Sequence, residues 1–243
     1  AQIDEATTVM AMGRLNNVWD QLFPLRQARV NMCASLVPRG GALLDAGCGT
    51  GSLVRALLPA GVDAFGFDLA PGFVEQAKLA LKTNSDRVSQ GDLAAIETVF
   101  PVKVFDAIVC LGQTFPHLLT DSDIASFLEG ASRRLKPGGA LVLQVVADRD
   151  DRPDRTLPDL DAAGVRLQRR RILTSSDRAE LHLVATNGLG DAAWKVEHRR
   201  WTPESLMAVA ARFGFARDVV WADESEKPWT GAEPGWILVL SKD

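Results

Sequence analysis

The stretch GALLDAGCGTGSL, Gly41 to Leu53, constrains this chain more than any other. A short apolar run, broken by Asp45, leads into Gly47, Gly49 and Gly51, spaced two apart, and an apolar helix-like segment follows. Glycines between a strand and a helix keep the main chain bare, so a ligand can lie against it with no Cβ in the way. Such a turn belongs to a βα unit, and the chain around it repeats that unit.

GALLDAG reads as a buried strand and SLVRALLPAG as a helix closed by Gly61. DAFGFDLA is a second strand ending at Asp68, followed by the amphipathic helix GFVEQAKLALKT. VSQGDLAAI gives a third short strand ending near Asp92, and FDAIVCLG a fourth. SDIASFLEGASRRLKPGG is a helix stopped by Pro137-Gly138-Gly139, and ALVLQVV a fifth strand. Strands alternating with helices predict a mainly parallel sheet. Right-handed crossovers then gather the loops at the carboxyl ends of the strands around one crevice.

Upstream, VWDQLFPLRQARVNMCASLV predicts one or two short helices interrupted by Pro24. Downstream the pattern changes. DRDDRPDRTLPDLDAAG reads as a charged, proline-containing loop. VRLQRRRIL, AELHLVAT and AAWKVEHRRW alternate in period two, with NGLGD turning between the last pair, which predicts an antiparallel ribbon. TPESLMAVAARFGF returns to a helix with Thr202 as cap and Pro203 at its first position, and two strands close the chain. The prediction is one domain over 1–243, with a helical lid over 1–38 and a substrate-side insertion over 148–201.

A net charge of -4 and a pI near 5.5 leave no basic footprint for nucleic acid. The opening AQIDEATTVMAMGRL has no basic segment followed by an apolar core, and no apolar run is long enough to cross a bilayer. Cys33, Cys48 and Cys110 are odd in number and far apart, which suits reduced thiols and a cytoplasmic location, with no zinc-ligand spacing. No metal, membrane or nucleic-acid partner is expected, and the sequence is silent on oligomeric state.

The glycine turn only partly matches a dinucleotide fingerprint, because Ser52 stands where the third glycine of G-x-G-x-x-G belongs. Asp68 ends the second strand at the distance where an acid meets ribose hydroxyls, and Asp92 ends the third. Both residues are also good helix caps. Three ligand-ready strand ends in succession favour an adenosine-bearing ligand.

In order and spacing, LLDAGCGTG, FGFDLA, GDL, FDAIVCLG and LKPGGALVLQ resemble the motifs of class I S-adenosylmethionine-dependent methyltransferases over Leu43 to Gln144. The resemblance implies a Rossmann-like α/β fold, with a mainly parallel seven-stranded sheet, helices on both faces and an antiparallel β insertion after strand 5. It also implies S-adenosylmethionine as cofactor, leaving as S-adenosylhomocysteine. Ala46, Gly47 and Cys48 would lie along its methionine part, and Gly49 would also belong to the cofactor site. Asp68 would bind the ribose, Leu69 pack on the adenine, and Asp92 meet the adenine amino group with help from the Leu93 main chain, Gly91 also being a cofactor-site residue. Cys110 and Leu111 would lie beneath, and Arg29, or alternatively Arg26, would meet the carboxylate.

The fourth strand lacks the N/D-P-P-Y/F tetrapeptide of base-modifying enzymes. CLGQTFPHLL instead resembles small-molecule N-methyltransferases of the glycine and sarcosine type, and ADRDDR resembles that group's YDR segment. Gln113 stands where asparagine is common and Ala147 where tyrosine is, so the resemblance supports a small-molecule acceptor rather than glycine itself. A heteroaromatic or amine nitrogen is the expected target, and a hydroxyl attacked with histidine as base is the alternative.

The candidates on the acceptor side are His117 and Gln113 as catalytic residues and Trp19 and Arg149 as substrate contacts. Each also has a plain structural reading: a histidine starting the next helix, a polar loop residue, a core aromatic and a surface ion pair. His182 and His198 lie in the alternating ribbon, facing either the pocket or solvent. Five of the six tryptophans fall from Trp194 onward, as an aromatic wall or as ribbon packing. Arg169 to Arg171 alternate faces in a strand and so cannot form one cluster; they are read as a solvated edge.

Overall fold

The computed structural model describes residues 15–146, 151–187 and 191–243. Two short helices, α1 (Trp19–Leu22) and α2 (Gln27–Ser35), flank Pro24 as the sequence predicts. β1 (Ala42–Ala46), α3 (Ser52–Leu57), β2 (Asp63–Asp68), α4 (Pro71–Leu81), β3 (Val88–Gln90) and β4 (Phe105–Cys110) follow. α5 (Asp121–Arg134) runs directly into β5 (Leu135–Val145). The insertion is β6 (Asp154–Ala162), β7 (Val165–Leu173), β8 (Arg178–Thr186) and β9 (Asp191–Arg199). α6 (Pro203–Ala210), β10 (Phe215–Trp221) and β11 (Trp236–Lys242) complete the chain.

The main sheet has the order β10-β11-β5-β4-β1-β2-β3. β3, β2, β1, β4 and β5 run parallel, and β11 pairs antiparallel with both β5 and β10. β1 is buried along its whole length, as expected of a central parallel strand covered on both faces. On one face, Phe127, Leu128 and Leu206 of α5 and α6 pack against Leu44 and Ile108. On the other, Met32, Leu57, Val74 and Ala77 of α2, α3 and α4 cover Leu43 and Val109. The first five strand ends therefore meet at one edge, with the order reversing between β1 and β4, where ligands bind in open α/β sheets.

The insertion forms a separate four-stranded antiparallel sheet, β6-β7-β8-β9. The segment read as a loop over 148–164 is a strand over Asp154–Ala162. Pro158 obscured it; the register with β7 shifts between Leu157 and Leu160, so the proline sits at an irregularity of an edge strand, where no ladder hydrogen bond is needed. The third strand is also shorter than predicted, ending at Gln90. Thr202 makes a full capping box with Ser205, with Pro203 first in the helix, as the sequence predicts. Among the described residues no helix is long and apolar enough to cross a membrane.

Leu15 and Leu22 pack on Leu167, Leu183, Trp194 and Val196 of the small sheet, with Trp19 against the same cluster. The N-terminal helix thus lies between the small sheet and the glycine turn.

Candidate functional site

Three glycines shape the turn after β1, and all have left-handed φ: 85° at Gly47, 54° at Gly49 and 72° at Gly51. The backbone N–H groups of Gly47 and Cys48 both donate to the Phe67 carbonyl at 2.9 Å, which fastens the turn to β2. A Cβ on Gly47 would lie 2.4 Å from Cγ2 of Thr114, so the loop after β4 rests directly on this glycine. A Cβ on Gly51 would press on Cβ of Ala77 at 2.9 Å, so this glycine lets the turn pack on α4. Gly49 is different, because its Cβ direction meets only Nε1 of Trp19, at 3.8 Å.

Asp68 closes the turn from the tip of β2. One carboxylate oxygen accepts from Gly49 N–H at 2.8 Å and the other from Ala70 N–H at 2.9 Å. Burial raises its pKa, partly opposed by those two N–H groups and that of Leu69. Leu69, beside it, is exposed. Asp92 does cap the turn that follows it, since Oδ1 accepts from Ala94 N–H at 2.9 Å, and it stays exposed with Leu93 half-buried beside it. A Cβ on Gly91 would strike Cγ1 of Val99 at 2.4 Å, so this glycine serves packing. Ala46, Cys48, Cys110 and Leu111 are buried at the ends of β1 and β4, and burial holds both thiols well above their ordinary range.

Arg29 of α2 acts electrostatically on Asp45, in the strand that leads into the turn. Its Nε and Nη2 donate to Oε1 of Glu224 at 3.0 and 2.7 Å, and Nη2 also to Oε1 of Gln144 at 3.3 Å. Arg26 pairs with the other Glu224 oxygen from a far more exposed position. Burial works to raise the Glu224 carboxyl, but Arg29 and Arg26 together hold it below its ordinary value. Asp45, within β1, is pushed up to about 7 by burial, opposed by Arg29 and reinforced by Asp68. A cation, carboxylates, an exposed leucine and open main chain fit a zwitterionic nucleoside such as S-adenosylmethionine.

The residues expected on the acceptor side lie on the loop after β4 and on the small sheet. Gln113 has φ 71°, rare outside glycine, and its Oε1 accepts from Val146 N–H at 2.5 Å, tying the loop to the end of β5. His117 lies edge-on to His198 of β9, with ring centroids 4.6 Å apart. Burial lowers the pKa of His117 to about 4 and that of His198 well below normal, so both are neutral at pH 7. His182 points away, with Nε2 2.8 Å from Glu180. Trp19 packs on Phe23 and Phe73, at 4.5 and 5.0 Å, above Gly49; it meets the glycine turn. Arg149 falls outside the described residues.

The arginine run is no solvated edge. β7 is flanked by β6 and β8, and Arg171 is 6% exposed. Register puts Arg169, Leu183 and Trp194 in one row and Arg171, Leu181 and Val196 in the next, on the inner face, while Arg170 points outward to Asp154. Of the later tryptophans, Trp194, Trp201 and Trp236 are buried in packing, with the Trp201 ring tilted against Phe115 at 5.7 Å between centroids.

Sequence reading missed Asp45, Gln144 and Glu224. A charged or polar residue inside an apolar strand run was the available signal for Asp45 and Gln144. Glu224 carried none, because only folding brings it 195 positions back to Arg29.

Residues 43–139 match the family model described as a methyltransferase domain. The chain is 36% identical over 113 residues to a demethylmenaquinone methyltransferase of Tropheryma whipplei, covering 44% of this chain and 42% of that protein. It is 32% identical over 128 residues to a ubiquinone biosynthesis O-methyltransferase of Xylella fastidiosa, covering 51% and 50%. The match thus spans about half the length of these curated relatives. A solved S-adenosylmethionine-dependent methyltransferase of Clostridium acetobutylicum superposes with TM-score 0.78 over 95% of this chain and 98% of that one, at 15% identity. The chain thus shares that protein's fold.

Proposed function

We propose that this protein moves the methyl group of S-adenosylmethionine to a small-molecule acceptor, at a nitrogen of a heteroaromatic or amine metabolite. The observation that carries the cofactor reading is the glycine turn held by Asp68, with the Arg29 cation acting on Asp45 of the strand before it. The bound cofactor would supply an activated methyl: the acceptor lone pair forms a bond to the methyl carbon while the carbon–sulfur bond breaks and its electrons stay on sulfur. Arg29 would bind the carboxylate, Asp68 and Asp92 the sugar and base, and the turn would fix the methyl donor. Holding acceptor and methyl in line is then the main catalytic effect.

The acceptor atom is argued from His117. An imidazole with a pKa near 4 is a poor base for a hydroxyl but an adequate acceptor for a hydrogen bond from an amine. Oxygen is the second reading, favoured by the name of the Xylella fastidiosa relative. Calorimetry with S-adenosylmethionine and NAD, followed by mass spectrometry of products from paired amine and phenol acceptors, tests both levels. Binding of NAD alone overturns the cofactor reading and points to an oxidoreductase. Methylated phenols without methylated amines overturn nitrogen. Cofactor binding with no product from any acceptor points to a non-catalytic binding protein.

A further inference from the structure

Arg29 is engaged more fully than cofactor binding alone requires. Glu224 is 3% exposed and lies beyond β10, yet one of its oxygens takes two nitrogens along one edge of the Arg29 guanidinium. Arg26 occupies the other Glu224 oxygen, so the buried carboxylate is fully neutralised. Gln144, 8% exposed in β5, lends a single oxygen to both Arg29 Nη2, at 3.3 Å, and Gly112 N–H, at 2.8 Å. Gly112 begins the loop that carries Gln113 and leads to His117. One side-chain oxygen therefore joins the Arg29 guanidinium to the backbone of the acceptor loop.

We propose that Glu224 and Gln144 are positioning residues. Glu224 fixes Arg29 in the one orientation that presents its remaining edge to the cofactor carboxylate. Gln144 transmits the occupancy of Arg29 to Gly112, so that cofactor binding tightens the acceptor loop before an acceptor is present. A buried polar network with every partner in place has a single low-energy arrangement, so a change at Arg29 is felt at the shared oxygen. The proposal rests on the S-adenosylmethionine reading above.

The test is calorimetry paired with amide hydrogen exchange across residues 110–116, with and without S-adenosylmethionine. In the unaltered protein the cofactor should slow exchange at Gly112 several-fold. Glu224→Gln, which keeps the shape and loses the charge, should weaken cofactor binding about tenfold or more, the scale of a hydrogen bond to a charged group. Gln144→Met should keep cofactor binding within a few-fold and abolish its effect on Gly112. Unfolding midpoints confirm that each variant is folded. Unchanged affinity in Glu224→Gln, no cofactor effect on Gly112 in the unaltered protein, or that effect surviving in Gln144→Met would each overturn the proposal. If the unaltered protein binds no S-adenosylmethionine, it is the functional reading that fails.

Discussion

Asp45 offers a quantitative test of the site's electrostatics. Its pKa rises from 3.8 to about 7 because a carboxylate in the middle of β1 has lost its water. In the unfolded chain it ionises near pH 4, while in the folded chain it holds its proton to about 7. Between those limits the folded state binds more protons, so stability must fall as pH rises, by between about 1 and 2 kcal/mol for each pH unit. Summed over a shift of about three units, the loss approaches 4 kcal/mol, as an upper value. Asp45→Asn keeps the shape and cannot ionise. The variant should match the unaltered protein at pH 4 and gain on it steadily to pH 7, and the difference should then level off. Urea unfolding of both proteins at several pH values measures that difference directly, and titrating groups not coupled to Asp45 cancel. A difference that stays flat from pH 4 to pH 8 would falsify the account of Asp45 as a desolvated acid.

Gly47→Ala combines a φ of 85° with a Cβ 2.4 Å from Thr114, and should cost about 2 kcal/mol or more in unfolding experiments; a loss below half of that would mean the loop after β4 yields freely. Asp68→Ala should weaken S-adenosylmethionine binding by about 1–3 kcal/mol in calorimetry, and unchanged affinity removes Asp68 from the site. His117, with its pKa lowered to about 4, withdraws stability as pH falls from about 6.5 toward 4, because the unfolded imidazole takes up its proton first. His117→Asn should flatten that decline, and an unaltered acid limb in the denaturation profile would show that the imidazole is hydrated.

The sequence displayed the main sheet clearly, because each βα repeat carries its own local signals: an apolar run, a glycine or acid at its end, and a helix of fitting period. Asp68 and Gly49 stood out for the same reason, each marking a strand–helix junction of its own, and folding brings the two within hydrogen-bond reach. β6 was not, because an edge strand at a register irregularity tolerates Pro158 and needs little alternation. The buried side of β7 was also hidden: alternation divided Arg169 to Arg171 between two faces, but only the flanking strands decided which face lies inside. His198 gained its meaning from a neighbour 81 positions away, and Glu224 from one farther still. Local spacing cannot register contacts of that kind.

The position of β11 bears on how such a chain is made. Its seven residues slot between β5 and β10, although nearly a hundred residues separate them from β5 along the chain. Until they emerge from the ribosome, two strands present bare hydrogen-bonding rims, the kind that pair with the wrong neighbour. A helper that shields those rims during synthesis should therefore raise the yield of soluble protein more than any improvement to the early βα repeats.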